Sequence, residues 1–209
     1  NGLVTIPIAT RAAPIATSST TTSPSAIASV LAAVSFSRNR PANWAAPAYA
    51  AAADEMGRLI AAAGLRLVYG GGSIGLMGTV ARAAKRAGGE VIGVIPTFLR
   101  YVEAPQDDVT EMHVVQSMHE RKQMMFDFAD AFVSLPGGIG TMDETIEMMT
   151  WSQLDRHAKP IVLVDTLDYW STFDALMRTI VANGFARPNL MDLYRIAPDP
   201  AAALAALRP

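Results

Sequence analysis

Three short stretches of this chain combine residue types that can do chemistry with spacings that would bring them together. Gly70-Gly71-Gly72-Ser73-Ile74-Gly75 and Pro136-Gly137-Gly138-Ile139-Gly140-Thr141 are both glycine-rich, and each follows an apolar run. A strand that turns through glycines into a helix presents backbone N–H groups and the positive end of the helix dipole to an anion. Glu144 lies three residues beyond Thr141. A carboxylate at that place faces whatever the turn holds. It equally completes a capping box with Thr141 as the N-cap, and the spacing leaves both readings open. The third stretch is Ser117-Met118-His119-Glu120-Arg121-Lys122. Ser117 and Glu120 read as another capping box, which places Arg121 and Lys122 in the first turns of a helix. Cations there oppose the dipole. The pair is either a solvated surface feature or a local rule broken for function.

The elements that must position these residues alternate along the chain. Apolar runs at 65–69, 91–95, 112–115, 131–135, 161–164 and 194–197 read as strands. Stretches 48–63, 76–87, 118–128, 142–154, 169–183 and 200–207 read as helices. The apolar run 26–37 is a first strand or a helical turn; its length does not separate the two. Near-continuous apolar strands alternating with helices imply a parallel sheet covered on both faces through right-handed crossovers. The expected fold is α/β, a doubly wound Rossmann-like parallel sheet flanked by helices in a single domain over 26–209. In such sheets ligands bind outside the carboxyl ends of the strands, so both glycine turns should share one edge.

Gly70, Gly72 and Gly75 match G-x-G-x-x-G, but the next strand ends Val94-Ile95-Pro96 without the acidic residue that a dinucleotide ribose requires. A tight turn with glycines chosen for packing remains the plain alternative. Residues 1–25 are rich in Ser, Thr, Ala and Pro and read as an irregular arm. The net charge is −2 and no basic stripe occurs, so nothing points to nucleic acid. There is no cysteine, which excludes disulfides and thiolate metal sites. His113, His119 and His157 do not share a helical i, i+4 spacing, so no metal is expected. No apolar run is long enough to span a bilayer, and a cytoplasmic setting without membrane contact is expected.

Taken in order, the three blocks resemble the signature blocks of the Lonely Guy family, cytokinin-activating phosphoribohydrolases often mislabelled as lysine decarboxylases. Residues 89–96, 150–154 and 157–160 look like the family too, and the resemblance runs from about residue 47 to the C-terminus. It implies hydrolysis of the N-glycosidic bond in N6-substituted adenosine 5′-monophosphates, with AMP as a further substrate and no cofactor. It also implies Arg121 and Glu144 as the catalytic pair, and Gly137, Gly138, Gly140 and Thr141 around the phosphate. The remaining substrate-site candidates in these blocks are Gly71, Gly72, Ser73, Met118, Lys122, Pro136 and Ile139. A homodimer or larger assembly is implied, with Met148, Met149 and Trp151 as interface candidates. Met118, Met124 and Met125 either line a base pocket or pack in the core. The chain departs from the family at residues 34–40, where a glycine-serine turn is expected and no glycine occurs between Gly2 and Gly57.

Three other readings compete on the same residues, one of them a general nucleosidase of AMP and other nucleoside 5′-monophosphates. A nucleotide or cofactor carrier on this fold would not need Arg121 and Glu144. A decarboxylase would need pyridoxal phosphate on Lys85, Lys122 or Lys159, none of which lies in a recognisable cofactor box.

Overall fold

The glycine turns and both charged helices are carried by a seven-stranded parallel sheet, seen in a computed structural model that describes residues 27–31, 46–103, 105–106 and 108–207. The arm read over 1–25 and the atypical stretch 34–40 lie outside the described residues.

In chain order the strands are β1 (Ile27–Leu31), β2 (Arg66–Tyr69), β3 (Val91–Pro96), β4 (Glu111–Val115), β5 (Ala131–Ser134), β6 (Ile161–Val164) and β7 (Arg195–Ala197). The apolar run at 26–37 thus contributes a strand. The spatial order is β4-β3-β2-β1-β5-β6-β7, with every neighbouring pair parallel. The chain winds outward from β1 to β4, then returns across the sheet to β5 on the other side of β1. That reversal makes the carboxyl ends of β1 and β5 a topological switch point, where doubly wound sheets bind ligands.

Helices α1 (Pro47–Ala62), α2 (Gly75–Arg86) and α7 (Pro200–Ala206) cover one face, and α4 (Met118–Phe128), α5 (Ile139–Gln153) and α6 (Ser171–Ala182) the other. A short α3 (Arg100–Glu103) follows β3. Successive strand residues feed opposite cores because side chains alternate across a sheet. Leu67 and Tyr69 of β2 pack toward α1 and α2, whereas Val68 packs toward α4 and α5. On the first face α1 and α2 meet closely because Gly57 sits against the Val80 carbonyl, where a Cβ would stand 2.3 Å from the oxygen.

Two expectations need correction. Thr141 is not an N-cap: α5 begins at Ile139, its N-cap is Gly138, and Thr141 is fully buried within the first turn. The run of glycines lets the backbone enter the helix three residues earlier than a side-chain cap would require. Met148 and Met149 are not surface residues. Each is 3% exposed in the core beneath α5, and Trp151 lies half-buried with its ring 4.9 Å from Phe126. The exposed apolar residues of α5 are instead Ile139 and Ile146, with Leu154 beyond its end.

Candidate active site

The N-terminus of α4 forms as its sequence requires. Ser117 accepts a hydrogen bond from the Glu120 N–H at 3.1 Å, and the Glu120 carboxylate accepts from the Gln116 N–H at 2.8 Å. This doubly capped start fixes the next residue, Arg121, so that it points inward under the carboxyl edge of the sheet. Its guanidinium donates from Nε to the Val94 carbonyl at 3.2 Å and from Nη1 to Glu144 Oε1 at 3.1 Å. The two side chains are 4% and 5% exposed, so the pair is desolvated on both sides. The solvated-surface reading of Arg121 and the capping reading of Glu144 are thereby set aside.

The seat for Arg121 is Gly70. A Cβ at that position would lie 1.8 Å from Arg121 Nη2, so the guanidinium can pass over this residue only because it has no side chain. The glycine motif of the first turn thus has a packing reason that its spacing does not disclose. Gly71, at φ +81°, turns the chain against Ile95 and Met112, and Gly78 lies against the Ser73 carbonyl. That carbonyl also accepts from Arg82 at 2.8 Å. Gly72 pairs with Pro105 in an antiparallel bridge that ties down the turn.

Burial raises the Glu144 carboxyl above the ordinary carboxylate range; the Arg121 cation pulls the other way and Asp143 adds to the rise. Burying two charges is costly, and a matched apolar pair would often serve stability as well or better. An ion pair kept at the switch point of the sheet therefore points to chemistry.

The second turn has a different character. Pro136 is buried, Gly137 is half-buried against Thr141, and Gly138 and Ile139 are exposed. A Cβ at Gly138 would meet nothing within 4 Å. No side chain caps α5. The helix thus opens at the exposed Gly138 and Ile139, at the same edge as Glu144. Behind the turn, the Tyr169 hydroxyl donates to the Gly137 carbonyl, a contact that the sequence pattern gave no sign of.

Lys122 extends toward α5 and pairs with Glu147 at 2.9 Å and Asp143 at 3.2 Å. Burial alone would depress its ammonium, but the hydrogen bonds to Glu147 and Asp143 outweigh that and raise it. Met118 is half-buried at the start of α4, and Met125 lies in the core. Gly71, Gly72 and Ser73 stand at the end of β2, beyond the arginine seat. Among the described residues no group of three His, Asp or Glu side chains is arranged to hold a metal ion. Among them, too, no helix is long and apolar enough to cross a membrane.

Comparison with known proteins bears on the same blocks. A family model described as "Possible lysine decarboxylase" matches residues 77–207. A protein of Rhodococcoides fascians named cytokinin riboside 5′-monophosphate phosphoribohydrolase is 44% identical over 161 residues, covering 77% of this chain and 81% of that one. The chain belongs to the Lonely Guy family. A rice relative named as a probable enzyme of the same kind is 48% identical over 151 residues, which cover 72% of this chain and 66% of the rice protein. The Lonely Guy assignment agrees with the fold of a molybdenum cofactor carrier protein from Chlamydomonas reinhardtii. That structure aligns with a TM-score of 0.62 over 88% of this chain and 97% of its own, at 24% identity. A likeness at that identity speaks to the architecture only.

Proposed function

We propose that the protein is a phosphoribohydrolase that hydrolyses the N-glycosidic bond of cytokinin riboside 5′-monophosphates, releasing the free base and ribose 5-phosphate. The observation that carries the reading is the buried Arg121–Glu144 pair, set beside an uncapped helix N-terminus at the switch point of the sheet. The names of the relatives at 44% and 48% identity support it.

The reaction builds positive charge on the ribose ring as the bond to the base lengthens. The phosphate binds at the start of α5, against Gly137, Gly138, Gly140 and Thr141, and acts as a handle that fixes the sugar. Glu144 then lies toward C1′, where its carboxylate stabilises the oxocarbenium-like charge and accepts a proton from the attacking water; the base leaves with the electron pair of the broken bond and takes up that one proton. A carboxylate whose proton affinity is raised by burial is a stronger base than an exposed one. Arg121 favours its ionised form and aims it through the single charge-assisted hydrogen bond from Nη1, while Nε is anchored on the Val94 carbonyl. Gly71, Gly72 and Ser73 border the site from the β2 side. Lys122 braces α4 to α5 through Asp143 and Glu147, which sets the separation of the catalytic pair. AMP fits the same site, because the N6 substituent takes no part in the bond that breaks. A dimer in the cytoplasm completes the proposal.

The test is to incubate the wild type and Glu144→Gln with isopentenyladenosine monophosphate and with AMP, and to quantify the released base. Release by the wild type that falls by about 10²–10⁴-fold in the variant supports the assignment. Nucleotide binding without release from either substrate overturns it in favour of a carrier.

A further inference from the structure

The turn before α6 holds its residues in conformations that side chains seldom adopt. Leu167 and Asp168 have φ of 56° and 55°, in the left-handed region, although neither is glycine. Consecutive residues of this kind persist only where their surroundings over-determine them, and such strain gathers at functional places. The turn is held from inside by Asp165, whose carboxylate accepts from the Trp170 N–H at 2.7 Å. What it presents is Tyr169. That ring is gripped edge-on by Tyr49 of α1, with centroids 6.1 Å apart, and by Trp170 at 5.2 Å. Its hydroxyl is delivered to a single acceptor, the Gly137 carbonyl.

The geometry of a peptide makes that contact informative. The carbonyl of Gly137 and the N–H of Gly138 belong to one planar unit, and in a trans peptide they point in opposite directions. No cis peptide occurs among the described residues. Drawing the Gly137 oxygen back onto Tyr169 therefore turns the Gly138 N–H outward, to the side where a Cβ would meet nothing within 4 Å. Among the described residues that N–H has no hydrogen-bond partner. Gly137 and Gly138 lack the side chains that would otherwise restrict this plane, so a hydrogen bond from outside the loop has to set it.

We propose that Tyr169 is a positioning residue for the substrate phosphate: its hydroxyl locks the Gly137–Gly138 peptide so that the Gly138 N–H faces the anion. The proposal rests on the reading of the α5 N-terminus as the phosphate seat. It differs from a structural role for Tyr169 in what the hydroxyl affects. The ring contacts to Tyr49 and Trp170 survive removal of the oxygen, whereas the peptide orientation does not.

The experiment compares wild type with Tyr169→Phe on isopentenyladenosine monophosphate, on the corresponding riboside without phosphate, and with ribose 5-phosphate as competitive inhibitor. The expected result is a rise of about five- to tenfold in KM for the monophosphate and in the inhibition constant of ribose 5-phosphate. The rate on the riboside and the thermal midpoint should stay unchanged. Equal losses on monophosphate and riboside, or no loss on either, overturn the proposal while leaving the enzyme assignment intact. A wild type that releases no base and is not bound by ribose 5-phosphate overturns both. Should Tyr169→Phe fail to fold, the Gly138 amide of the ¹⁵N-labelled wild type decides. Its resonance moves on titration with ribose 5-phosphate if the proposal holds, and its staying fixed overturns it.

Discussion

The two glycine turns look alike as strings of letters and differ as structures. In the first, Gly70 and Gly78 are filled space: Gly70 lies under the Arg121 guanidinium and Gly78 against the Ser73 carbonyl, with a Cβ closer than 2 Å to an existing atom in each case. In the second, Gly137 also lies close against Thr141, but Gly138 borders nothing and, as the N-cap of the helix, carries no side chain to cap it. One turn uses glycine so that protein can approach protein. The other uses it so that something else can approach the backbone. Both stand at the carboxyl edge of the sheet, one on each side of β1, and Arg121 of α4 links them, lying over Gly70 of the first and pairing with Glu144 on the helix that follows the second.

The largest effect should come from cutting that pair. Arg121→Leu leaves Glu144 buried without its cation and is expected to cost about 3–5 kcal/mol of stability. The combined variant Arg121→Leu with Glu144→Leu should recover most of the loss in a denaturant titration, yet release no base. If the double variant is as unstable as the single one, the pair is structural and no longer sets the two turns apart.

Next come the filled glycines. Gly78→Ala places a Cβ 1.9 Å from a backbone oxygen that cannot move without breaking its bond from Arg82. A loss of about 1–3 kcal/mol is expected, with catalysis changed little in the protein that remains folded. Gly70→Ala should invert that balance. The atom it meets first belongs to a side chain, which can yield, but only by leaving Val94 and Glu144. Activity should fall by about 10²-fold, as a displaced catalytic group predicts, while the melting temperature shifts less than for Gly78→Ala. Similar profiles for the two variants would erase the distinction between packing and site within the first turn.

Smaller still is Gly138→Ala. With a φ of −85° and open space around it, the position tolerates a methyl group, and stability should stay within about 0.5 kcal/mol of wild type. The effect belongs in KM for the monophosphate, which should rise several-fold as the methyl group narrows the approach to the helix start. A stability loss comparable to that of Gly78→Ala would show that the second turn is filled space as well.

These contrasts mark what the sequence discloses. Strand and helix alternation, the sheet edge shared by both turns, and the Ser117 cap all follow from local pattern, because periodicity and capping are properties of neighbouring residues. The start of α5 does not. Thr141 followed by Glu144 spells a capping box, but the glycines before it let the helix begin at Ile139 and free Glu144 to turn inward. Nor does the seat of Arg121, since nothing near Gly70 announces a guanidinium from a helix more than 40 residues later. Tyr169 is the extreme case: all of α5 and all of β6 separate it from Gly137, and only the folded sheet brings its hydroxyl to the turn. Contacts across the switch point are set by topology, which short-range pattern does not carry.

Acidity gives the finest test of the same contrast, because it reads the protonation of Glu144 in the wild-type chain. Burial raises its carboxyl, so between the ordinary carboxylate range and the raised value the folded chain holds a proton that the unfolded chain has lost. Stability contributed by this group is then present at low pH and declines as pH rises through that window. Activity runs the other way, since the reaction needs the carboxylate: kcat/KM should fall on acidification at a pH above that expected for an exposed glutamate. Asp174 on α6 behaves oppositely. Its own burial pushes it up, but hydrogen bonds from Tyr194 and Arg178 hold it below the ordinary range, so its contribution is lost only as pH falls further. Melting wild type and Glu144→Gln across pH separates the two, because Asp174 is common to both and cancels in the difference. A difference that grows with pH through the window, matched by an acid limb in kcat/KM at the same place, would tie one buried proton to both fold and catalysis. A flat difference would mean that Arg121 fully offsets burial, and the acid limb should then sit where an ordinary carboxylate titrates.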